Sequence, residues 1–354
     1  MKLNSLLYLP SIFVQINNEY SLSRYVCLFM LVTLLTTTFV QSPVLAQTTY
    51  SFGGRTFIDY SYIATSPDSG KAGDNGYSFR QIQFGTDAKL SDTFSARLRF
   101  EVSNSSTTAQ GQAAPYVKDL LLKWHNILGE GHNLIIGLTH PPSFVVSQKA
   151  WGYRSLARTL TAKNRILSSR DFGVVIRGPL AKNGSLRYGL MVGSNEGVRR
   201  EDDNNKRFYS QIEWYPSSTI SATIGLDYAN YSDDRTAGLH IPLFVGYKGS
   251  RFSAGLEAFT YNLQYDGATP DQTQSGASIY GILPVNDIAS FIVRFDYVNM
   301  DLDTISYSHT YTVIGVSLQP HKNVRFIPNV EIAKDQRDRE PLINARITLH
   351  VDFK

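Results

Sequence analysis

Apolar and polar residues alternate with a period of two along this chain, in one strand-length segment after another from Tyr50 to Phe353. Between Thr93 and Ser103, Phe94, Ala96, Leu98 and Phe100 share one face, while Ser95, Arg97, Arg99 and Glu101 share the other. Ile220, Ala222, Ile224, Leu226 and Tyr228 alternate with Ser221, Thr223, Gly225 and Asp227. The final segment sets Ala345, Ile347, Leu349, Val351 and Phe353 against Asn344, Arg346, Thr348, His350 and Asp352. Successive strand side chains point to opposite faces, so each segment predicts a strand with one apolar and one charged face.

Alternation alone fits a soluble sandwich as well as a membrane barrel; the connections separate them. Tight links fall at Ser91-Asp92, Leu128 to Gly131, Lys182 to Gly184, Pro216 to Ser218, Lys248 to Ser250, Asn286-Asp287 and Pro320 to Asn323. Most carry the Gly, Asn, Asp or Pro that hairpin turns require. Between them lie longer polar stretches at 65–76, 104–115, 139–170, 197–206, 231–237, 264–275, 300–309 and 334–341. Short turns on one side and long loops on the other predict an all-β, antiparallel transmembrane β-barrel of about 16 strands. Both chain ends then lie on the short-turn side. A ring of that size is too wide for side chains to fill, and an aqueous channel remains unless a loop closes it. Trp124, Trp214, Tyr215, Phe94 and Phe252, near strand ends beside short turns, are expected in an interfacial girdle.

Residues 1–46 read as a secretory signal. Lys2 and Arg24 precede the apolar run Tyr25 to Thr38, and Val44-Leu45-Ala46 before Gln47 is a small-residue cleavage pattern. The remainder, 47–354, reads as a single barrel domain. Without the leader, the 34 basic residues lose Lys2 and Arg24 to leave 32, and the 30 acidic ones lose Glu19 to leave 29. So small a net charge suggests no nucleic-acid partner. Cys27, the only cysteine, falls in the leader, so the barrel has no disulfide, thiolate metal site or cysteine nucleophile.

The stretch 139–170 stands apart. From Gly131 to Arg170 there is no Asp or Glu, yet the segment carries Lys149, Arg154, Arg158, Lys163, Arg165 and Arg170. On a helix, Arg154, Arg158 and Arg165 fall on one side and Leu156, Leu160 and Leu167 on the other. The segment is therefore expected to fold into the barrel as a constriction loop, leucines against the wall and arginines toward the water path. The competing reading is a solvated loop whose cations bind anionic lipopolysaccharide head groups. The wall is nearly neutral. Parity turns Arg55, Lys89, Arg97, Arg99, Lys123, Arg177, Arg187, Arg207, Lys248, Arg294, Arg325 and Arg346 inward, against Asp59, Asp87, Glu101, Asp119, Glu213, Asp227, Glu257, Asp296, Glu331 and Asp352. Many of these, Arg97, Arg99, Arg177 and Arg187 among the candidate pore-wall residues, are expected to pair across strands.

His132 to Leu138 leading into Pro141-Pro142-Ser143-Phe144, Arg170 to Gly178, and Tyr188 to Gly197 resemble the central strands of the phosphate-selective porin O/P family. The likeness covers roughly residues 76–215. It implies a sixteen-stranded homotrimeric outer-membrane porin with a constriction lined by arginine and lysine. Where the family often has a lysine before the proline, this chain reads Thr139-His140-Pro141, so phosphate specificity does not transfer. Lys354 after Phe353 also departs from the aromatic terminus usual in such barrels.

No G-x-S-x-G, H-E-x-x-H, Walker or calcium-loop pattern occurs, and no catalytic, metal or cofactor residue is assigned. His125, His240 and His350 have inward parity, from which only a spatial Ser, His and acid set could be assembled. Asp202-Asp203 and Asp233-Asp234 read as solvated loop pairs or as ligands of divalent ions at the lipopolysaccharide surface. The expectation is a passive porin for small hydrophilic solutes that prefers small anions, held in lipid and lipopolysaccharide. The alternatives are a sugar-permeable non-selective porin, a loop-closed barrel acting in surface binding or adhesion, and a secreted β-sandwich.

Overall fold

A computed structural model describes residues 48–353 except 69, 105, 268, 303 and 304; the expected leader lies outside the described residues. The sixteen strands are β1 (Thr49–Thr65), β2 (Asn75–Lys89), β3 (Phe94–Val102), β4 (Tyr116–Trp124), β5 (Asn133–Thr139), β6 (Asp171–Pro179), β7 (Leu186–Gly193) and β8 (Arg207–Trp214). They continue as β9 (Ile220–Asn230), β10 (Arg235–Lys248), β11 (Ser253–Tyr265), β12 (Gln272–Pro284), β13 (Ala289–Leu302), β14 (Ile305–His321), β15 (Val324–Asp335) and β16 (Leu342–Phe353). Each pairs antiparallel with its neighbours in sequence, and β1 closes on β16 from Gly54↔Phe353 to Thr65↔Ile343. At this seam Gly54 has no room for a side chain: an added Cβ would lie 2.1 Å from the Phe353 ring.

The apolar face points outward. Leu226 is 49% exposed beside Asp227 at 0%, and Ile347 is 52% exposed beside Thr348 at 0%. A soluble sandwich would bury the leucine and wet the aspartate, so the sandwich reading fails at these residues. Phe94 and Trp124 meet at 5.3 Å between ring centroids, and Trp214 and Phe252 are exposed beside short turns, as a girdle requires. Tyr215 departs from that expectation. It packs inward against the buried cluster around Trp151 and donates its hydroxyl to Glu213 at 2.9 Å.

One loop boundary is also corrected. The stretch 300–309 is almost wholly strand, because β13 and β14 stay in register out to Asp301↔Ser306 and Leu302↔Ile305. The β14 arm carries Ser306, Tyr307 and Ser308, which suit a strand, and polar composition alone does not end one. The wall is uneven: β14 has 17 residues and β5 only 7.

Leu226→Arg, on the outer face near the middle of β9, is expected to cost about 2–4 kcal/mol, the range for an arginine facing the bilayer centre. Equilibrium unfolding in phosphocholine vesicles measures it. A change under about 0.5 kcal/mol, the range of ordinary surface substitutions, would place that face outside the hydrocarbon.

Candidate functional site: the inward loop and the lumen it leaves

Residues 140–170 join β5 to β6 inside the barrel. A 3₁₀ turn (Pro142–Phe144) leads into α1 (Val145–Trp151), and Gly152, at φ +66°, ends that helix in the left-handed conformation a glycine allows. An irregular run follows, then the single turn α2 (Leu160–Lys163). The apolar side packs on the wall as expected. Trp151, fully buried, sits among Phe244 of β10, Tyr280 of β12, Ile292 of β13, Tyr311 of β14 and Ile327 of β15. Leu160 and Ile166 pack on Phe259, Tyr261 and Leu263 of β11, and Leu167 packs with Val175 and Met191.

Polar contacts fix the rest, and most of them pair a wall side chain with the loop backbone. Arg294, held by Asp296 at 2.7 and 2.9 Å, donates to the Arg158 carbonyl at 2.7 Å. Arg346, paired with Glu331 at 2.8 Å, donates to the Leu156 carbonyl at 3.2 Å. Arg207 reaches the Ile166 carbonyl at 3.3 Å and Arg325 the Gly152 carbonyl at 3.4 Å. Buried Glu257 accepts the Leu160 N–H at 2.7 Å, an orphan donor of the first turn of α2. Ser143 donates to Asp227 at 2.6 Å, and His240 Nδ1 meets the same carboxylate at 2.7 Å. These three residues are a Ser, His and acid set in space, but the serine bonds the carboxylate and not the imidazole, so the nucleophile-to-base contact of a hydrolase is missing from them.

The loop is not the continuous helix its periodicity suggested, and its cations are dispersed accordingly. Arg154 and Arg158 line a cavity of about 470 Å³ on the long-loop side, with Lys163 and the wall residues Arg80, Arg346 and Glu331. Arg165, exposed and at φ +59°, lines a different cavity of about 850 Å³ with Arg199, Arg207 and Arg235. The two cavities share no lining residue; α2 ends between them, Lys163 facing one and Asn164 the other. The left-handed turn at Arg165 breaks the angular repeat that would have aligned it with Arg154 and Arg158. Arg170 is buried against Asp119 and is spent in that ion pair. Lys149 is exposed at the end of α1, and the Lys163 ammonium sits 3.8 Å from the Tyr311 ring centroid.

Arg154 and Arg158 remain. Arg154 donates to Gln148 at 2.9 Å and neither residue has an acidic partner among the described residues. Burial, and then the neighbouring Arg158, draw the Arg154 guanidinium down to about 10, still charged at neutral pH. Arg154 also feels the carboxylate of Glu101 on the wall, without pairing with it. Glu101 is already saturated, accepting from Gln81 at 2.7 Å, Gln83 at 2.9 Å, Tyr116 at 2.5 Å and Lys118 at 3.2 Å.

Among the wall residues, Arg97 pairs with Asp87 at 2.5 Å, Arg99 with Asp87 at 3.2 Å and Asp119 at 3.8 Å, and Arg187 with Glu213 at 3.9 Å. Arg177 makes no ion pair among the described residues, and its Nε is buried without a partner. Arg97 and Arg177 line a cavity of about 580 Å³ on the short-turn side with Lys89, Lys123 and His140. Two lumen cations, Arg80 and Lys118, escape parity counting. Each sits at a β-bulge: the register runs Phe57↔Gln81 then Ile58↔Phe79, and Arg99↔Asp119 then Phe100↔Val117. The unpaired extra residue turns inward beside an inward neighbour. No local sequence signal marks either bulge.

No family model matches the chain, and no curated protein does. Among solved structures it is similar to OmpTΔL8, a loop L8 deletion mutant of an outer membrane protein of Vibrio cholerae, with 13% identity and a TM-score of 0.65 over 86% of this chain and 99% of that one. It is also similar to an anion-selective porin from Comamonas acidovorans, with 12% identity and a TM-score of 0.64 over 87% of this chain and 100% of the other. A third is the outer membrane channel DcaP of Acinetobacter baumannii, with 10% identity and a TM-score of 0.62 over 88% and 99%. At these identities the likeness is one of fold. The closed barrel with an apolar exterior is an outer-membrane barrel of porin type, and this placement is the chain's location in the cell.

Trp151→Ala is expected to free the loop while leaving the barrel closed, since deleting a buried Trp costs about 3–5 kcal/mol. Trypsin should then cut at Arg154 or Arg158 in detergent, with heat-modifiable gel mobility retained. Unchanged resistance would show that the polar anchors alone hold the loop.

Proposed function

We propose that the protein is a passive diffusion porin for small hydrophilic solutes with a preference for small anions, set by Arg154 and Arg158. The observation that carries this reading is the imbalance between wall and loop. Wall arginines are mostly matched to wall carboxylates, whereas the two loop guanidiniums in the long-loop cavity make no ion pair among the described residues, the Glu331 of that cavity being taken by Arg346. A charge about 5 Å from a passing anion attracts it by about 0.8 kcal/mol in water and repels a cation by as much, roughly fifteenfold in the ratio of the two, and more where low-dielectric walls focus the field. Guanidinium also presents the forked donors that carboxylate and phosphate oxygens accept.

Lys163 adds a third cation to the same cavity, and Lys89, Lys123 and Arg177 extend a positive lining toward the short turns. Arg165 and Arg170 are left out of the selectivity set, the first because it faces a separate cavity and the second because Asp119 neutralises it. A homotrimer in lipid and lipopolysaccharide is part of the proposal, and a trimer form of OmpT of Vibrio cholerae, similar at 12% identity, supports it. Diffusion of this kind uses no cofactor.

The test is the reversal potential of single channels in a salt gradient. Anion selectivity is expected, with Arg154→Gln and Arg158→Gln each lowering the anion-to-cation ratio by up to about fifteenfold at low salt and less at high salt. Arg165→Gln should leave the ratio unchanged. A cation-selective wild-type channel, or arginine variants with unaltered ratios, would end the selectivity proposal.

A further inference from the structure

We infer that Arg80 is a positioning residue for selectivity, turned into the lumen by a β-bulge so that it clamps the tip of the charged loop; this rests on the anion-channel reading above. Gln81 and Gln83 of β2 both donate to Glu101, which fixes their side of the strand as the lumen. Strict alternation from them would send Arg80 toward lipid. The ladder instead skips it, passing from Phe57↔Gln81 to Ile58↔Phe79, and the unpaired residue swings inward.

Once inside, Arg80 joins the wall to the loop. Its Nε and Nη2 engage the buried carboxylate of Asp59, which Thr348 also holds through a 2.6 Å hydrogen bond. Its Nη1 donates to the Leu156 carbonyl at 3.4 Å, and Nη2 contacts the Ser155 carbonyl. Arg346 donates to the same Leu156 carbonyl from β16. Two guanidiniums from opposite sides of the β1 strand therefore grip one peptide group, and that peptide lies midway between Arg154 and Arg158. All four arginines line the one cavity.

The geometry assigns different tasks to the four. Arg80 and Arg346 are neutralised by Asp59 and Glu331, so they add little field. What they supply is a fixed tip, without which Arg154 and Arg158 would sample positions across the lumen. A lysine at position 80 keeps the charge but has neither the fork that Asp59 holds nor the reach to two carbonyls at once.

The experiment records open-channel current noise and reversal potential in planar bilayers for Arg80→Gln and Arg80→Lys, with heat-modifiable mobility as the folding check. Both variants are expected to raise the noise several-fold and to lower the anion-to-cation ratio by at least as much as Arg154→Gln, because the tip carries two cations. Rescue of both readouts by Arg80→Lys would show that charge alone matters and would overturn the positioning role. So would wild-type noise in Arg80→Gln. Should either fail to fold, the double variant Arg80→Cys, Ser155→Cys, in a barrel otherwise free of cysteine, is bridged with a short bis-maleimide. Quiet current after bridging and noisy current before it support the clamp, and no difference refutes it. A wild-type channel without anion preference would sink the selectivity reading but leave the noise comparison intact, so the two failures are distinguishable.

Discussion

In hydrocarbon no water is present to satisfy a backbone N–H or C=O, and every other property of this molecule follows from that constraint. A sheet can meet it only by closing, which β1 and β16 do along ten successive residues from Gly54 to Ile63 before a bulge shifts the register. Closure then decides what each face of a strand meets. The row holding Leu226 and Ile347 meets lipid, and the row holding Asp227 and Thr348 meets the interior. The ring that results is wider than its own side chains can fill, so the interior must be furnished by something else.

That something is the loop 140–170, and its attachment divides the labour of charge in the lumen. Trp151 and the leucines supply apolar burial against the wall, and wall arginines, Arg294, Arg346 and Arg207 backed by a carboxylate, take the loop's carbonyls. A guanidinium has donors to spare after pairing with one acid, which is why arginine and not lysine does this. The wall's positive charge is thereby used in construction. The loop's own guanidiniums at Arg154 and Arg158 make no ion pair among the described residues, and the contrast between spent and unspent arginines is what the proposed anion preference rests on.

Much of this was legible without coordinates because period-two alternation is a local property. The strand count, the inward rows, the short-turn and long-loop sides, and the inward loop with leucines on the wall all follow from residue order. So did the expectation that Arg97, Arg99 and Arg187 pair, since Asp87, Asp119 and Glu213 stand on neighbouring strands. What misled was periodicity applied past its range. The alignment of Arg165 with Arg154 assumed an unbroken helix, whereas the chain between them is irregular up to a single turn at Leu160–Lys163, and Arg165 itself takes a left-handed angle. The loop assigned to 300–309 assumed that polar residues end a strand, whereas β13 and β14 continue in register.

Away from the bulges, the sequence by itself determined which residues face lipid and which face the interior, because strand geometry ties facing to parity and parity is read one residue at a time. Only the tertiary structure decided which cations remain free. Arg170 lies 51 positions from the Asp119 that neutralises it, and Arg80 enters the lumen through a bulge defined against β1. Pairing and bulging depend on what the neighbouring strand places opposite, and that is known only once the ring has closed.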